Sequence, residues 1–76
     1  MLGRLGKAIR NHRLQLNLTQ EEISNATGMA RSYITGIERG QRNISVVALT
    51  RIAKTLNISA WKLFKEVEKD NGKARR

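Results

Sequence analysis

The sequence predicts an all-α domain of five short helices, and three observations carry that prediction. The 76-residue chain has no proline, and aromatic residues make up 4% of it; this composition favours helix over sheet. Apolar residues recur at three- and four-residue spacing in successive segments, the period of an amphipathic helix. Between those segments stand residues that open or close helices: a Thr-x-x-Glu box, serines ahead of apolar runs, and Asn or Gly at the stops.

The first helix is predicted over about residues 3–16, with Leu2, Leu5, Ile9 and Leu16 on its inner stripe and Asn17 as its C-terminal cap. Thr19-Gln20-Glu21-Glu22 then forms a capping box, in which Thr19 caps the first amides and Glu22 reaches back. Ile23 and Ala26 supply the inner face of this second helix, and Gly28 ends it. So short a helix holds only by packing, because isolated helices under about 12 residues are marginal in water. The third runs from about Ala30 to Arg39, with Ile34 and Ile37 inward and Gly40 as the stop. Ser45 caps the fourth, whose stripe is Leu49, Ile52, Ala53 and Leu56. Ser59 caps the fifth, with Ala60, Leu63, Phe64 and Val67 on one face. Residues 1–68 thus make one domain. Residues 69–76 are polar and basic and read as a frayed, flexible tail. Its Arg75-Arg76 end has two readings, a solvated terminus or a DNA arm.

Charge narrows the function. Fifteen Lys and Arg against six Asp and Glu give a net charge of +9. A domain this basic repels itself without a polyanion nearby, and such a charge is the usual footprint of nucleic-acid binding. A membrane surface or an acidic protein is the competing class of partner. No apolar run approaches the roughly 18 residues of a membrane span, and the N-terminus lacks a signal-type apolar segment, so a soluble cytoplasmic protein without a membrane partner is expected. The absence of cysteine removes disulfides and thiolate metal sites, and a lone His12 cannot make a histidine metal cluster; it is expected as an exposed helix residue near phosphate. A metal-dependent nuclease needs clustered carboxylates, whereas these acids are scattered. No enzyme activity, catalytic residue, metal or cofactor is expected.

The second helix, the turn at Gly28 and the third helix together read as a helix-turn-helix, which places the N-terminal residues of its second helix at base edges in the major groove. Those residues are Arg31, Ser32 and Tyr33. Arginine bonds guanine O6 and N7 in bidentate fashion, and serine is an adaptable partner for several bases. Thr35 and Gly36 lie one turn on, near the same face. Gly36 costs about 0.5–1 kcal/mol relative to alanine within a helix. Either a close approach to DNA or a close crossing with the second helix offsets it. After Gly40, Gln41-Arg42-Asn43 and the first amides beyond Ser45 suit phosphate oxygens. Gln20 flanks the other side.

The run LxLTQEEIxxxTGMxRSYITGIERGxRNIS followed by LTRIAKTLNIS resembles the Cro/C1-type, lambda-repressor-like or XRE family of helix-turn-helix proteins, over about residues 5–65. Within it, RSYITGIERGQRNIS is most similar to restriction–modification controller proteins, and also to phage and prophage repressors. The resemblance implies a five-helix lambda-repressor-like DNA-binding domain and a dimeric transcription regulator. It implies base contacts at Arg31 and Ser32, to which the shared helix face adds Thr35. Phosphate contacts, or support for them, are implied at Gln20, Tyr33, Arg42 and Asn43, and the helix-terminus argument adds Ser45. It also implies an Arg13–Glu38 pair tying the first helix to the third, consistent with a partly buried Glu38 needing a cation. Two positions depart from the family pattern. Ala30 stands where a capping Ser or Thr is common, which weakens that helix start by about 1 kcal/mol, as if that end were ordered only on DNA. Ile44 stands where the broader family has proline.

Palindromic reading needs two protomers about a two-fold axis. Ile44, Val47, Trp61 and Phe64 are the candidate seam, with Trp61 either there or roofing the core. Glu21 is a first-turn helix stabiliser or, alternatively, an activating contact for RNA polymerase. The rival from another class is a protein-interaction module that borrows the fold without binding DNA specifically.

Overall fold

In the computed structural model the backbone is described for residues 2–74 and the side chains for residues 3–68. Five helices follow in order: α1 (Leu2–Gln15), α2 (Gln20–Thr27), α3 (Arg31–Glu38), α4 (Val46–Thr55) and α5 (Ala60–Ala74). α1 packs against α3 and α5, α2 against α3 and α4, and α4 against α5. Leu5 and Ile9, Ile23, Ile34 and Ile37, Leu49, Ile52, Ala53 and Leu56, and Leu63 and Val67 form one core drawn from all five helices. None of the helices is long and apolar enough to cross a membrane, and no group of three His, Asp or Glu side chains among the described residues could hold a metal ion.

The helix ends follow the chemistry of their residues. In the α2 capping box, the Thr19 Oγ1 accepts the Glu22 N–H at 3.0 Å and the Glu22 carboxylate accepts the Thr19 N–H at 2.8 Å. The Ser45 Oγ accepts the Ala48 N–H at 3.0 Å to open α4. Asn17 and Asn57, each at φ 57°, and Gly40, at φ 72°, take the left-handed conformation just past α1, α4 and α3. At each stop the next residue donates its N–H backwards: Leu18 to the Arg13 carbonyl, Ile58 to that of Ala53 and Gln41 to that of Gly36, at 2.9–3.0 Å. That pattern satisfies carbonyls the helix leaves orphaned, and Leu18 and Ile58 add an apolar contact with the core.

Several expectations from spacing are corrected. Leu16 is exposed, because α1 ends one residue before it and the left-handed Asn17 turns the chain away. Ala26 is also exposed, and Thr27 is buried instead, one turn after Ile23 and donating its hydroxyl to the Ile23 carbonyl at 2.7 Å. Phe64 lies at the exposed edge of α5 while Leu63 and Val67 fill the core. Trp61 is 67% exposed and does not roof the core. α5 continues through Ala74, six residues past the expected end of the folded domain at 68. Arg75 and Arg76 lie outside the described residues.

His12 is half-buried rather than exposed; its Nε2 sits 3.0 Å from an oxygen of the Glu66 carboxylate on α5. Gly6, which the sequence does not mark, lies on α1 directly against the backbone of α3. A Cβ on it would run into the Ile37 carbonyl and come within 2.9 Å of the Glu38 carbonyl. Only a glycine lets the two backbones approach this far.

Candidate nucleic-acid interface

α2, the three-residue connection through the left-handed Gly28, and α3 form a helix-turn-helix. Within the connection, the Ser24 hydroxyl bonds the Met29 carbonyl, and the Met29 N–H donates to the Thr27 Oγ1 at 3.3 Å. Ile23, Ile34 and Ile37 are almost wholly buried, which fixes the rotation of α3 and turns its other face outward. α3 starts at Arg31 with no side-chain cap from Ala30. Its first turn is closed by the Tyr33 and Ile34 amides on the Ala30 carbonyl.

On the outward face Arg31, Ser32, Thr35, Gly36, Arg39, Gln41 and Arg42 line one shallow concavity. Three guanidinium groups there face a region with no carboxylate in its lining. Arg31 and Ser32 are exposed and Thr35 is half-buried. Arg39 is the residue that sequence reading missed. It follows Arg31 and Thr35 at four-residue intervals, and that spacing was the available signal.

Gly36 receives a specific explanation. A Cβ there would come within 2.5 Å of the Arg42 Cγ, so the absent side chain makes room for the Arg42 stem to lie across α3. Neither a crossing with α2 nor a DNA contact is needed to account for it. The loop carrying Arg42 is held on both sides: the Gln41 N–H donates to the Gly36 carbonyl at 2.9 Å, and the Tyr33 hydroxyl donates to the Asn43 carbonyl at 3.3 Å. Asn43 and Ser45 are exposed beyond that loop, and Ile44 packs against the core.

Behind the face lies a buried polar network. Arg13 on α1 donates to both oxygens of Glu38, from Nε at 2.7 Å and from Nη2 at 3.0 Å. Its Nη1 donates to the Leu18 carbonyl at 2.8 Å. The hydrogen bonds with Glu38 push the Arg13 pKa above its ordinary value, against the lowering effect of burial. The Gln20 Nε2 donates to Glu38 at 3.1 Å, and its Oε1 accepts from the Thr35 hydroxyl at 2.8 Å. Gln20 is therefore bonded inside the protein rather than standing free at the flank. Among the described residues no buried side-chain nitrogen or oxygen lacks a partner.

Large apolar side chains are left outside on the paired helices α4 and α5: Val46 at 78% exposure, Val47 at 62% and Trp61 at 67%, with Phe64 at 36%. The Lys65 ammonium caps the Trp61 ring, 5.0 Å from its centroid. Val46 was not singled out from sequence, because a valine directly after a cap falls on no stripe.

A recognition helix docked by its isoleucines, with a cationic concavity on its free face, defines a helix-turn-helix DNA-binding regulator. A family model described as "Helix-turn-helix" matches residues 9–60. The chain belongs to this Cro/C1-type helix-turn-helix family, whose members are regulators rather than enzymes. It is 39% identical over 59 residues, 78% of this chain and 70% of the relative, to the control protein C.SmaI of Serratia marcescens. Its fold matches the restriction–modification controller protein C.AhdI of Aeromonas hydrophila with a TM-score of 0.79 and 39% identity, over 82% of this chain and 94% of that one. It matches C.Esp1396I, determined as a tetramer in complex with its natural 35 base-pair operator, with a TM-score of 0.79 and 34% identity over 90% of each chain. The protein is a DNA-binding regulator that resembles restriction–modification controller proteins.

Proposed function

We propose that this protein acts in the cytoplasm as a homodimeric controller of a restriction–modification system, binding a palindromic operator with one α3 in each major-groove half-site. The observation that carries the reading is the concavity that joins Arg31, Ser32 and Thr35 to Arg39 and Arg42. The first three stand where a recognition helix meets base edges, and the arginines at its far end suit the phosphates bordering the groove.

The hydrogen-bond roles of the flanking groups suit phosphate. The Ser45 Oγ already accepts a backbone N–H, so its own proton is free to donate to a phosphate oxygen. One N–H of the Gln20 amide is used by Glu38; the other is the one that would meet the backbone. Tyr33 spends its hydroxyl on the Asn43 carbonyl, so its role is to hold the Arg42–Asn43 loop. Dimerisation would cover the exposed Val46, Val47, Trp61 and Phe64, with Ile44 beside them in the chain. Glu22 is occupied in its capping box, which leaves the exposed Glu21 as the carboxylate available to RNA polymerase.

The test is selection and sequencing of bound duplexes from a randomised pool at two salt concentrations. A two-fold-symmetric motif with half-sites about 10 base pairs apart is expected. Steep salt dependence without a motif would overturn sequence-specific reading. Absence of salt-sensitive binding would leave a protein-interaction module.

A further inference from the structure

The polar network behind α3 determines what one residue of the reading face can recognise. Glu38, clasped by Arg13 through both oxygens, stands as a carboxylate and can only accept. The Gln20 amide facing it must therefore present nitrogen, as found, with Nε2 at 3.1 Å. The reverse orientation would set the amide oxygen against the carboxylate. With its nitrogen so committed, the other end of the amide is an acceptor, and it lies 2.8 Å from the Thr35 hydroxyl. The second neighbour of that hydroxyl is again an acceptor, the Arg31 carbonyl at 3.1 Å. A hydroxyl has one proton and two lone pairs. Whichever neighbour takes the proton, it stays inside the protein, and only lone pairs remain for the concavity that Thr35 lines.

We propose that Thr35 is an acceptor-only reader of an exocyclic base amine, adenine N6 or cytosine N4, because its proton is held between two acceptors, the Arg31 carbonyl and the Gln20 amide oxygen that the Arg13–Glu38 pair orients. In the major groove these amines are the donors, whereas guanine O6 and N7 and thymine O4 are acceptors. A freely rotating threonine would serve either kind and discriminate poorly. The inference rests on the reading of α3 as the groove-facing helix.

The experiment starts from the motif selected by the full-length protein and finds the base pair whose preference Thr35→Val removes, since valine keeps the shape and lacks the oxygen. In that pair the amine-bearing base is replaced by its deamino analogue, purine for adenine or 2-pyrimidinone for cytosine. Loss of one hydrogen bond should weaken the wild type roughly fivefold and leave Thr35→Val unchanged relative to the natural duplex. The inference is overturned if Thr35→Val removes no preference, or if loss of the amine costs both proteins equally. Discrimination through the keto oxygen would overturn it too. A pool that yields no motif at all defeats the groove-reading assignment itself, a result distinct from each of these.

Discussion

Arg13 and Glu38 are joined across the α1–α3 interface by two hydrogen bonds of 2.7 and 3.0 Å, with both side chains nearly shielded from water. Paired in this parallel fashion, guanidinium and carboxylate satisfy each other geometrically as well as electrically. The remaining capacity goes to the Leu18 carbonyl and the Gln20 amide. The recognition helix is thus anchored at its C-terminal end by a charge on another helix, while its isoleucines set its rotation.

Removal of one partner leaves the other charge stranded. Glu38→Ala should destabilise the fold by about 3 kcal/mol, read from the urea midpoint. The apolar double variant Arg13→Met/Glu38→Leu should recover most of that loss, because a well-packed apolar pair avoids the desolvation cost. The pH dependence has a definite sign. Because the folded-state pKa of Arg13 is raised, the contribution of its charge is complete at neutral pH and is lost only when pH climbs through that very alkaline value. Stability should show no loss from this cation between about pH 6 and 10.

Two glycines should respond unequally to the same methyl group. Gly6→Ala places it against the backbone carbonyls of Ile37 and Glu38, which cannot move without separating α1 from α3, so a cost of about 2 kcal/mol is expected. Gly36→Ala meets the Cγ of the exposed Arg42, which must shift, and this offsets the helix preference of about 0.5–1 kcal/mol that alanine brings. Thermal unfolding should show Gly36→Ala well above Gly6→Ala. Its DNA affinity should fall, because Arg42 has been displaced.

At the end of α4, Asn57 holds φ 57° while Ile58 donates to the Ala53 carbonyl at 3.0 Å. Asn57→Ala should cost about 1 kcal/mol, since a plain β-carbon disfavours the left-handed region. That corresponds to a fall in Tm of about 4–8 °C for a domain of this size. Asn57→Gly should instead equal or exceed the wild type.

Base and phosphate roles separate by their dependence on sequence. Arg31→Ala should cost about 1–3 kcal/mol on the selected operator and relax one base position. Arg39→Ala and Arg42→Ala should weaken all duplexes alike, each lowering the salt slope by about one. Titrations on operator and random DNA at several salt concentrations decide this; equal losses for Arg31 and Arg42 on both kinds of DNA would reject the assignment.

Trp61 tests dimerisation. Trp61→Glu places a charge on an exposed ring position of α5, so helix content by circular dichroism should be unchanged. Sedimentation should show the wild type as a dimer at micromolar concentration and the variant as a monomer. A wild type that stays monomeric would remove the dimer proposal.

Much of the architecture was legible from local chemistry. Thr19 with Glu22, Ser45, Asn17, Gly28 and Gly40 act within a few residues of themselves, so their roles are written in the nearby sequence. The stripe from Leu49 to Leu56 is a regular helical period, and all four of its apolar residues are buried. Periodicity failed at helix edges, where one residue moves from core to surface. Leu16 lies past the last turn of α1, and Ala26 and Phe64 sit beside the buried face rather than on it.

The sequence by itself determined the five helices, the stops at Asn17, Gly28 and Gly40, the net charge and the helix-turn-helix with Arg31 and Ser32 at the start of its second helix. Each of these depends on residue type and short-range spacing. Only the tertiary structure decided what Gly6 and Gly36 make room for, which group His12 meets, that Trp61 stands outside the core, and that Gln20 links Glu38 to Thr35. Those depend on distances between helices, and on which end of an amide faces a carboxylate. Hydrogen-bond polarity of that kind passes from one side chain to the next only after packing has brought them together.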